Sequence, residues 1–358
     1  MKAISPYGPT AARKHGRPGR ETRPRTITID IHSHVSVPAA AALVKPHFDI
    51  STVPLAFFST PETKGVNAQQ EVDRHTRMSG HENGLSDRLR DLDDMGIDIQ
   101  VVMPPPPQCY YEVPIEIGVR AAQIVNEGIA EYVARSPDRF VGLGTVAMPD
   151  GREAAAELER AVYSLGLKGV QILTNVAGRE LSDPEFAPFW AKAEALGALI
   201  VIHPNGFTEG KRLTNFYFNN VIGNPLETTL ALHNLIFNGV LARYPNLKLL
   251  AVHGGGYLGA YSGRIDHAWG ARTDCRAHLP QPPTHYLKKV FVDGIVFTPH
   301  QLAGLINMFG ADHVLIGTDY PFDMAESDPL GHLVSVETLD TEAVEAIAGG
   351  NARKLLGI

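Results

Sequence analysis

The chain has 358 residues, 44% hydrophobic and 20% charged, with a formal net charge of -7. This suits one large α/β barrel or two ordinary domains with a packed core, and it argues against disorder. The acidic balance argues against a general nucleic-acid binder, which needs a basic footprint.

The first residues carry Arg13, Lys14, Arg17, Arg20, Arg23 and Arg25 against the single acid Glu21. With frequent Gly and Pro, residues 1–25 read as a flexible basic arm ahead of a domain at 26–358. A targeting segment or a subunit-wrapping arm are the other readings. The start lacks the apolar stretch of a secretory signal, and no apolar run approaches the ~20 residues of a membrane span. Cys109 and Cys275 form no CxxC pair, so neither a disulfide framework nor a zinc-finger-like site is expected. A reducing, cytoplasmic setting is the expectation.

Apolar runs then follow in series: Thr26–Ile31, Asp98–Met103, Phe140–Val146, Lys168–Leu173, Ala198–His203, Leu247–His253, Val290–Asp293 and His313–Gly317. Continuous Val/Ile/Leu runs mark strands buried on both faces, as in parallel sheets. Amphipathic stretches separate them. Ser86–Met95 opens with a potential Ser cap. Ile115–Ser136, Arg152–Leu165, Pro184–Leu196, Pro225–Tyr244 and Pro299–Phe309 follow, several starting at Pro, which suits a first helical turn. Strand–helix alternation repeated in this way predicts a (β/α)8 TIM barrel. A doubly wound sheet is disfavoured, because no Gly-rich phosphate fingerprint follows the first strand. Residues 35–85 are too long for a simple connection and read as a lid insertion over the catalytic face. They mix Phe48, Phe57 and Phe58 with Arg74, His75, Arg77 and His81.

The chemistry-bearing residues sit at strand ends. His32 and His34 lie in DIHSH after the first strand, and positions i and i+2 of a strand share a face. His203 ends the fifth run, His253 the sixth, and Asp319 follows the eighth. Barrel catalytic groups come from these carboxyl ends. His32, His34, His203 and Asp319 are the candidate ligands of one divalent ion, zinc first and manganese second, with a position left open for water or substrate. Such an ion lowers the pKa of bound water towards ~7. His253 suits a general acid/base, and Asp319 is a second proton-exchanging candidate. Lys168 falls at the beginning of its strand, away from the catalytic end, which favours one ion over a lysine-bridged pair. Gly254-Gly255-Gly256 admits either close substrate approach or a plain tight turn. Arg264 suits either a substrate carboxylate or a surface or intersubunit ion pair.

These motifs together resemble the amidohydrolase superfamily, in its decarboxylase branch typified by 2-amino-3-carboxymuconate-6-semialdehyde decarboxylase. The stretches DIHSH, RLRDLDDMGIDIQVV, LKGVQI, VIHPNGF, the long block ending HGGGYLGAYSGRIDHAW, and FGADHVLIGTDYPFDMAE carry the likeness. It covers the chain from about Thr28 onward. The resemblance implies the barrel, the same four ligands and a catalytic His253. It also implies that Arg264 reaches a neighbouring subunit's site in a homodimer, and that a second carboxylate-binding arginine, Arg77 or Arg74, lies in the lid. Asn205 stands where that branch has Trp, and the lid and basic arm depart from its pattern. The expected activity is metal-dependent, non-oxidative decarboxylation of a small unsaturated or aromatic carboxylic acid, aminocarboxymuconate-semialdehyde-like or hydroxybenzoate-like. The alternatives are a metal-dependent hydrolase of a C–C, lactone or amide bond in aromatic degradation, and a non-catalytic ligand-binding barrel. Neither nucleic acid nor membrane is an expected partner.

Overall fold

The computed structural model describes residues 19–78 and 82–358; the side chains of 73–83 lie outside that description. Arg13, Lys14 and Arg17 of the basic arm therefore fall outside it, as do the side chains of Arg74, His75, Arg77 and His81. At the end of the arm, Arg20 pairs with Asp94 and Arg23 with Asp98.

The predicted runs form the strands β1 (Ile29–His34), β2 (Ile99–Met103), β3 (Phe140–Gly142, continued by Gly144–Thr145), β4 (Gly169–Leu173), β5 (Leu199–His203), β6 (Lys248–Ala251), β7 (Phe291–Asp293) and β8 (Val314–Leu315). Each pairs in parallel with the next. The ladder is interrupted inside β3 at Leu143, whose N–H still donates to Val102 O at 2.9 Å. Between β8 and β1 the barrel wall has no regular ladder among the described residues. A narrow seam joins them: Ile31 N–H donates to Ile316 O at 3.0 Å, His34 N–H to Tyr320 O at 2.8 Å, and Ser33 bridges Tyr320. The fold is an α/β barrel of the predicted class.

Apolar residues fill two regions. Inside the barrel, Ile29, Ile31, Val101, Leu199, Val201 and Leu250 pack together, with Leu355 and Leu356 of the last helix against them. Outside, the larger core lies between strands and helices. Helix Ile115–Ala134 presents Ala121, Val125, Ile129 and Tyr132 to it, the spacing of one helical face. Helix Gly151–Tyr163 begins where Asp150 accepts hydrogen bonds from Arg152 N and Glu153 N.

Two expectations change. Ser86 does not cap its helix, which runs Glu82–Met95 and places Ser86 inside it. The single helix expected over 225–244 is two, Asn224–Phe237 and Val240–Arg243, because Gly239 adopts φ 73° and ends the first. The segment 35–85 is largely helical, with Pro38–Val44, Pro54–Phe57 and Pro61–Met78. It is tied to the barrel mouth where Asn219 Nδ2 donates to Pro54 O at 2.8 Å and Leu55 N–H to Asn205 O at 3.3 Å.

The β4–β5 pairing is close at its start. A Cβ on Gly169 would lie 1.8 Å from the carbonyl oxygen of Leu199. Backbone cannot yield there without shifting the ladder that carries His203. Gly169→Ala should lower stability by about 1–3 kcal/mol, the scale of overpacking. Urea denaturation checks this; an unchanged midpoint would show that the ladder adapts.

Candidate metal centre

The carboxyl ends of β1, β5, β6 and β8 bring four histidines and one aspartate to a single point. Ring centroids of His32, His34 and His203 lie 5.0 to 5.2 Å apart, and His253 stands 5.1 Å from His203 and 5.4 Å from His32. Ligating atoms of His32, His203, His253 and Asp319 all fall within 4.8 Å of one another. His34 Nε2 lies 3.0 Å from Asp319 Oδ1 and 3.1 Å from His32 Nε2. His32, His34, His203 and Asp319 are buried, whereas the His253 side chain keeps 16% exposure.

Local backbone makes this possible. Ile29 and Ile31 of β1 face the barrel interior, so strict alternation would turn His32 and His34 outward. The β1–β2 register shifts between Asp30 and Ser33, and a bulge of this kind re-aims the side chains that follow. His253 and Asp319 follow their strands in left-handed conformations, with φ 54° and 62°.

The hydrogen bonds set the imidazole tautomers. His32 Nδ1 is 2.8 Å from Asp293 Oδ2, His34 Nδ1 is 3.1 Å from Pro104 O, and His203 Nδ1 is 2.6 Å from Pro204 O. A carboxylate and two carbonyls only accept, so each Nδ1 donates. In the neutral rings every Nε2 then offers a lone pair to the shared point, and His203 Nε2 is buried without a hydrogen-bond partner. Converging lone pairs beside a carboxylate repel unless a cation lies between them. The donor set therefore fits a divalent metal.

The electrostatics agree. Burial, and then the charges of His32, His253 and His34, hold His203 well below the usual imidazole range, in its neutral ligating form. Burial also lowers His34. Burial opposes ionisation of Asp319, but the neighbouring imidazoles of His32, His253 and His34 outweigh it and keep the carboxyl well below its ordinary value. On His32 burial is overcome by Asp319 and Asp293, which raise its pKa. Without a metal, these carboxylates draw a proton to the place a cation would take.

A cavity of about 600 Å³ opens onto His203, His253 and Asp319, with Phe48, Tyr110, Asn205 and Phe322 among its walls. A second, of about 660 Å³, meets the same His253 and Asp319 from the side of Tyr257 and Phe297. Lys168 immediately precedes β4, at the end away from this centre. Arg264 is exposed in helix Ser262–Ala271 and lines neither cavity. Arg77 belongs to helix Pro61–Met78, and its side chain is outside the described residues.

Gly254, Gly255 and Gly256 all have positive φ. A Cβ would meet Val296 Cγ1 at 2.6 Å from Gly254 and Pro225 O at 2.5 Å from Gly256. The tight turn thus requires glycine, and Gly254 and Gly256 also border the second cavity.

Asp293 was not singled out from sequence. Its Oδ2 faces His32, while its Oδ1 accepts Gly254 N–H at 3.0 Å and Ile295 N–H at 3.3 Å. One carboxylate thereby holds a candidate ligand and the turn that carries His253. Its signal was available: an acid closing the seventh apolar run, in the same relative place as His203.

A match to the amidohydrolase family spans residues 29–358. The chain belongs to the amidohydrolase family. It is 37% identical over 272 residues to a 2-amino-3-carboxymuconate-6-semialdehyde decarboxylase of Dictyostelium discoideum, covering 76% of each protein. It is 27% identical over 258 residues to a γ-resorcylate decarboxylase of Rhizobium radiobacter, covering 66% of this chain and 76% of that one. The fold superposes on a 5-carboxyvanillate decarboxylase of Novosphingobium aromaticivorans with a TM-score of 0.81 at 21% identity, over 96% of this chain and 98% of the other. That crystal structure contains manganese and 4-hydroxy-3-methoxy-5-nitrobenzoic acid.

Purified protein should bind a divalent ion; His203→Ala or Asp319→Ala should abolish stoichiometric binding, measured by elemental analysis after gel filtration, while Asp293→Asn weakens it about 10–100-fold. Tight binding in His203→Ala would remove that residue from the ligand set. Glu227 anchors the loop after β5, accepting Thr208 N–H at 2.9 Å. Burial, with the charges of Glu180 and Glu209, pushes its pKa up to about 7 against the Thr208 hydrogen bonds. The folded state then binds the proton more tightly, so this group's stabilisation is present below the ordinary value of 4.5 and is lost as pH rises through about 7. Glu227→Gln should flatten the stability profile over that window; an unchanged profile in urea titrations would contradict the shift.

Proposed function

We propose that this enzyme is a metal-dependent, non-oxidative decarboxylase of a small aromatic or unsaturated carboxylic acid. The observation that carries this reading is the convergence of His32, His34, His203 and Asp319 with His253 at the inner end of a cavity, in a chain closely related to a decarboxylase. The four residues would hold one divalent ion. Zinc suits three imidazoles and a carboxylate; manganese is the alternative. When bound, the ion supplies Lewis acidity and orients substrate oxygens.

The chain's own groups divide the remaining work. Asp319 faces His34 with Oδ1 and His253 with Oδ2, the latter at 3.6 Å from His253 Nε2. His253 is the proton-transfer group, because it is the one histidine of the cluster left part-exposed, and it borders both cavities. The substrate carboxylate leaves as carbon dioxide, its bonding pair stays on carbon, and that carbon takes up one proton, for which His253 is the local source. The apolar cavity walls, including Phe48, Tyr110 and Phe322, limit water around the developing carbanion.

Residues 35–85 act as the lid in this reading, supported by Lys45, Phe48 and Leu55 in the cavity wall. Arg264 serves a partner subunit's site in a homodimer, supported by its exposure beside Tyr257 and Tyr261, two exposed aromatics of the same region. Arg77 remains the candidate lid arginine.

Carbon dioxide release from a panel of carboxylated phenols and muconate semialdehydes tests the activity; net water addition without carbon dioxide would favour the hydrolase. His253→Ala should keep its metal and lose at least ~10² in turnover, the usual scale for acid–base groups. Wild-type turnover in that variant would place the proton transfer elsewhere.

A further inference from the structure

The narrow seam between β8 and β1 runs directly through the metal centre. His32 and His34 lie on its β1 side, and Asp319 on its β8 side. Asp319 N–H donates to His32 O across it at 2.8 Å. Regular pairing is sparse here, yet the ligand atoms on the two sides must stay within a few tenths of an ångström of their places.

Behind these ligands, on the side of β1 away from the interior cluster, lies a fully buried polar chain of Arg88, Gln100, Asp30 and Thr318. Asp30 accepts from both sides of the seam. Its Oδ1 takes His32 N–H at 3.0 Å and Thr318 N–H at 3.0 Å. Its Oδ2 takes Thr318 Oγ1–H at 2.6 Å and Gln100 Nε2–H at 2.7 Å. Arg88, from helix Glu82–Met95, donates to Gln100 Oε1 at 2.7 Å and to the His34 carbonyl at 2.5 Å. Its guanidinium also lies over the Tyr320 ring, 4.6 Å from the centroid. Thr318 Oγ1 in turn accepts Tyr320 N–H at 3.1 Å. The chain thus touches the backbone of both β1 histidines and the residues on either side of Asp319.

A buried charge is costly unless paired and hydrogen-bonded. Here one cation and one carboxylate are buried and linked through Gln100, and their remaining contacts named above end on a candidate ligand or its immediate neighbour. Apolar packing would close an ordinary barrel seam more cheaply. We propose that Arg88, Asp30 and Thr318 are positioning residues that clasp the β1–β8 seam in the geometry required for metal binding, so that the buried relay and the metal close the barrel cooperatively. The proposal rests on the metal reading above.

The test is metal affinity, not activity. Zn²⁺ and Mn²⁺ affinities are measured by chelator competition on the full chain for wild type, Thr318→Val, Thr318→Ser, Arg88→Met and Arg88→Lys. Hydrogen exchange at the amides of Ile31, His34 and Asp319 is followed with and without metal. Thr318→Val keeps the side-chain shape while removing every Oγ1 hydrogen bond, to Asp30, to the His32 carbonyl and from Tyr320 N–H, so it tests the relay without a cavity. Thr318→Val and Arg88→Met should weaken both metals about 10–100-fold, the scale for groups that orient ligands. Thr318→Ser should restore most of that loss. Metal should slow seam exchange in wild type and do so less in Thr318→Val. Wild-type affinity in a folded Thr318→Val, with only metal-free stability lowered, would reduce the relay to plain structural support and overturn the proposal. Failure of wild type itself to bind either ion would instead overturn the metal reading.

Discussion

Three imidazole lone pairs and one carboxylate are directed at a single buried point, and the rest of the molecule is arranged around that conflict. Each Nδ1 is committed to an acceptor: Asp293 for His32, the Pro104 carbonyl for His34, the Pro204 carbonyl for His203. The Nε2 atoms have nowhere else to turn. Such a cluster is costly in isolation, because burial strips the water that would otherwise separate like dipoles. It becomes favourable when a cation occupies the centre. The raised pKa of His32 expresses the same demand in protons.

Strain gathers at the same place. Tyr110, Tyr217, His253, Phe297 and Asp319 adopt positive φ without being glycine, and each borders at least one of the two cavities. Left-handed backbone at such residues costs on the order of 1–3 kcal/mol each and persists only where the surroundings over-determine it. The surroundings here are a barrel whose interior is packed with branched residues and plugged by Leu355 and Leu356. The apolar end of the barrel supplies rigidity; the polar end spends it on geometry.

The segment 35–85 shows how a loop-like stretch acquires order. Its helices begin at Pro38, Pro54 and Pro61, and Asn219 and Asn205 tie the middle one to the loop that follows His203. The wall of the cavity and the support of His203 are therefore one structure. Asn205 falls at this junction, in the cavity wall and bonded to the segment through its carbonyl.

The sequence by itself determined the order of the eight strands and of the main helices between them, and the placing of His32, His34, His203, His253 and Asp319 at strand ends. Both are local properties, since runs of branched apolar residues and their boundaries need no knowledge of the rest of the chain. It also identified Lys168 as lying at the wrong end of its strand to join them. Tertiary structure alone decided three things. Alternation along β1 predicts nothing about the bulge that turns His32 and His34 inward, because a register shift is set by pairing with β2. Asp293 and the Arg88–Gln100–Asp30–Thr318 relay join residues up to 288 positions apart, and such partners carry no local signature. The narrow seam through the metal centre exists only once the barrel closes, because it is the meeting of the first strand with the last.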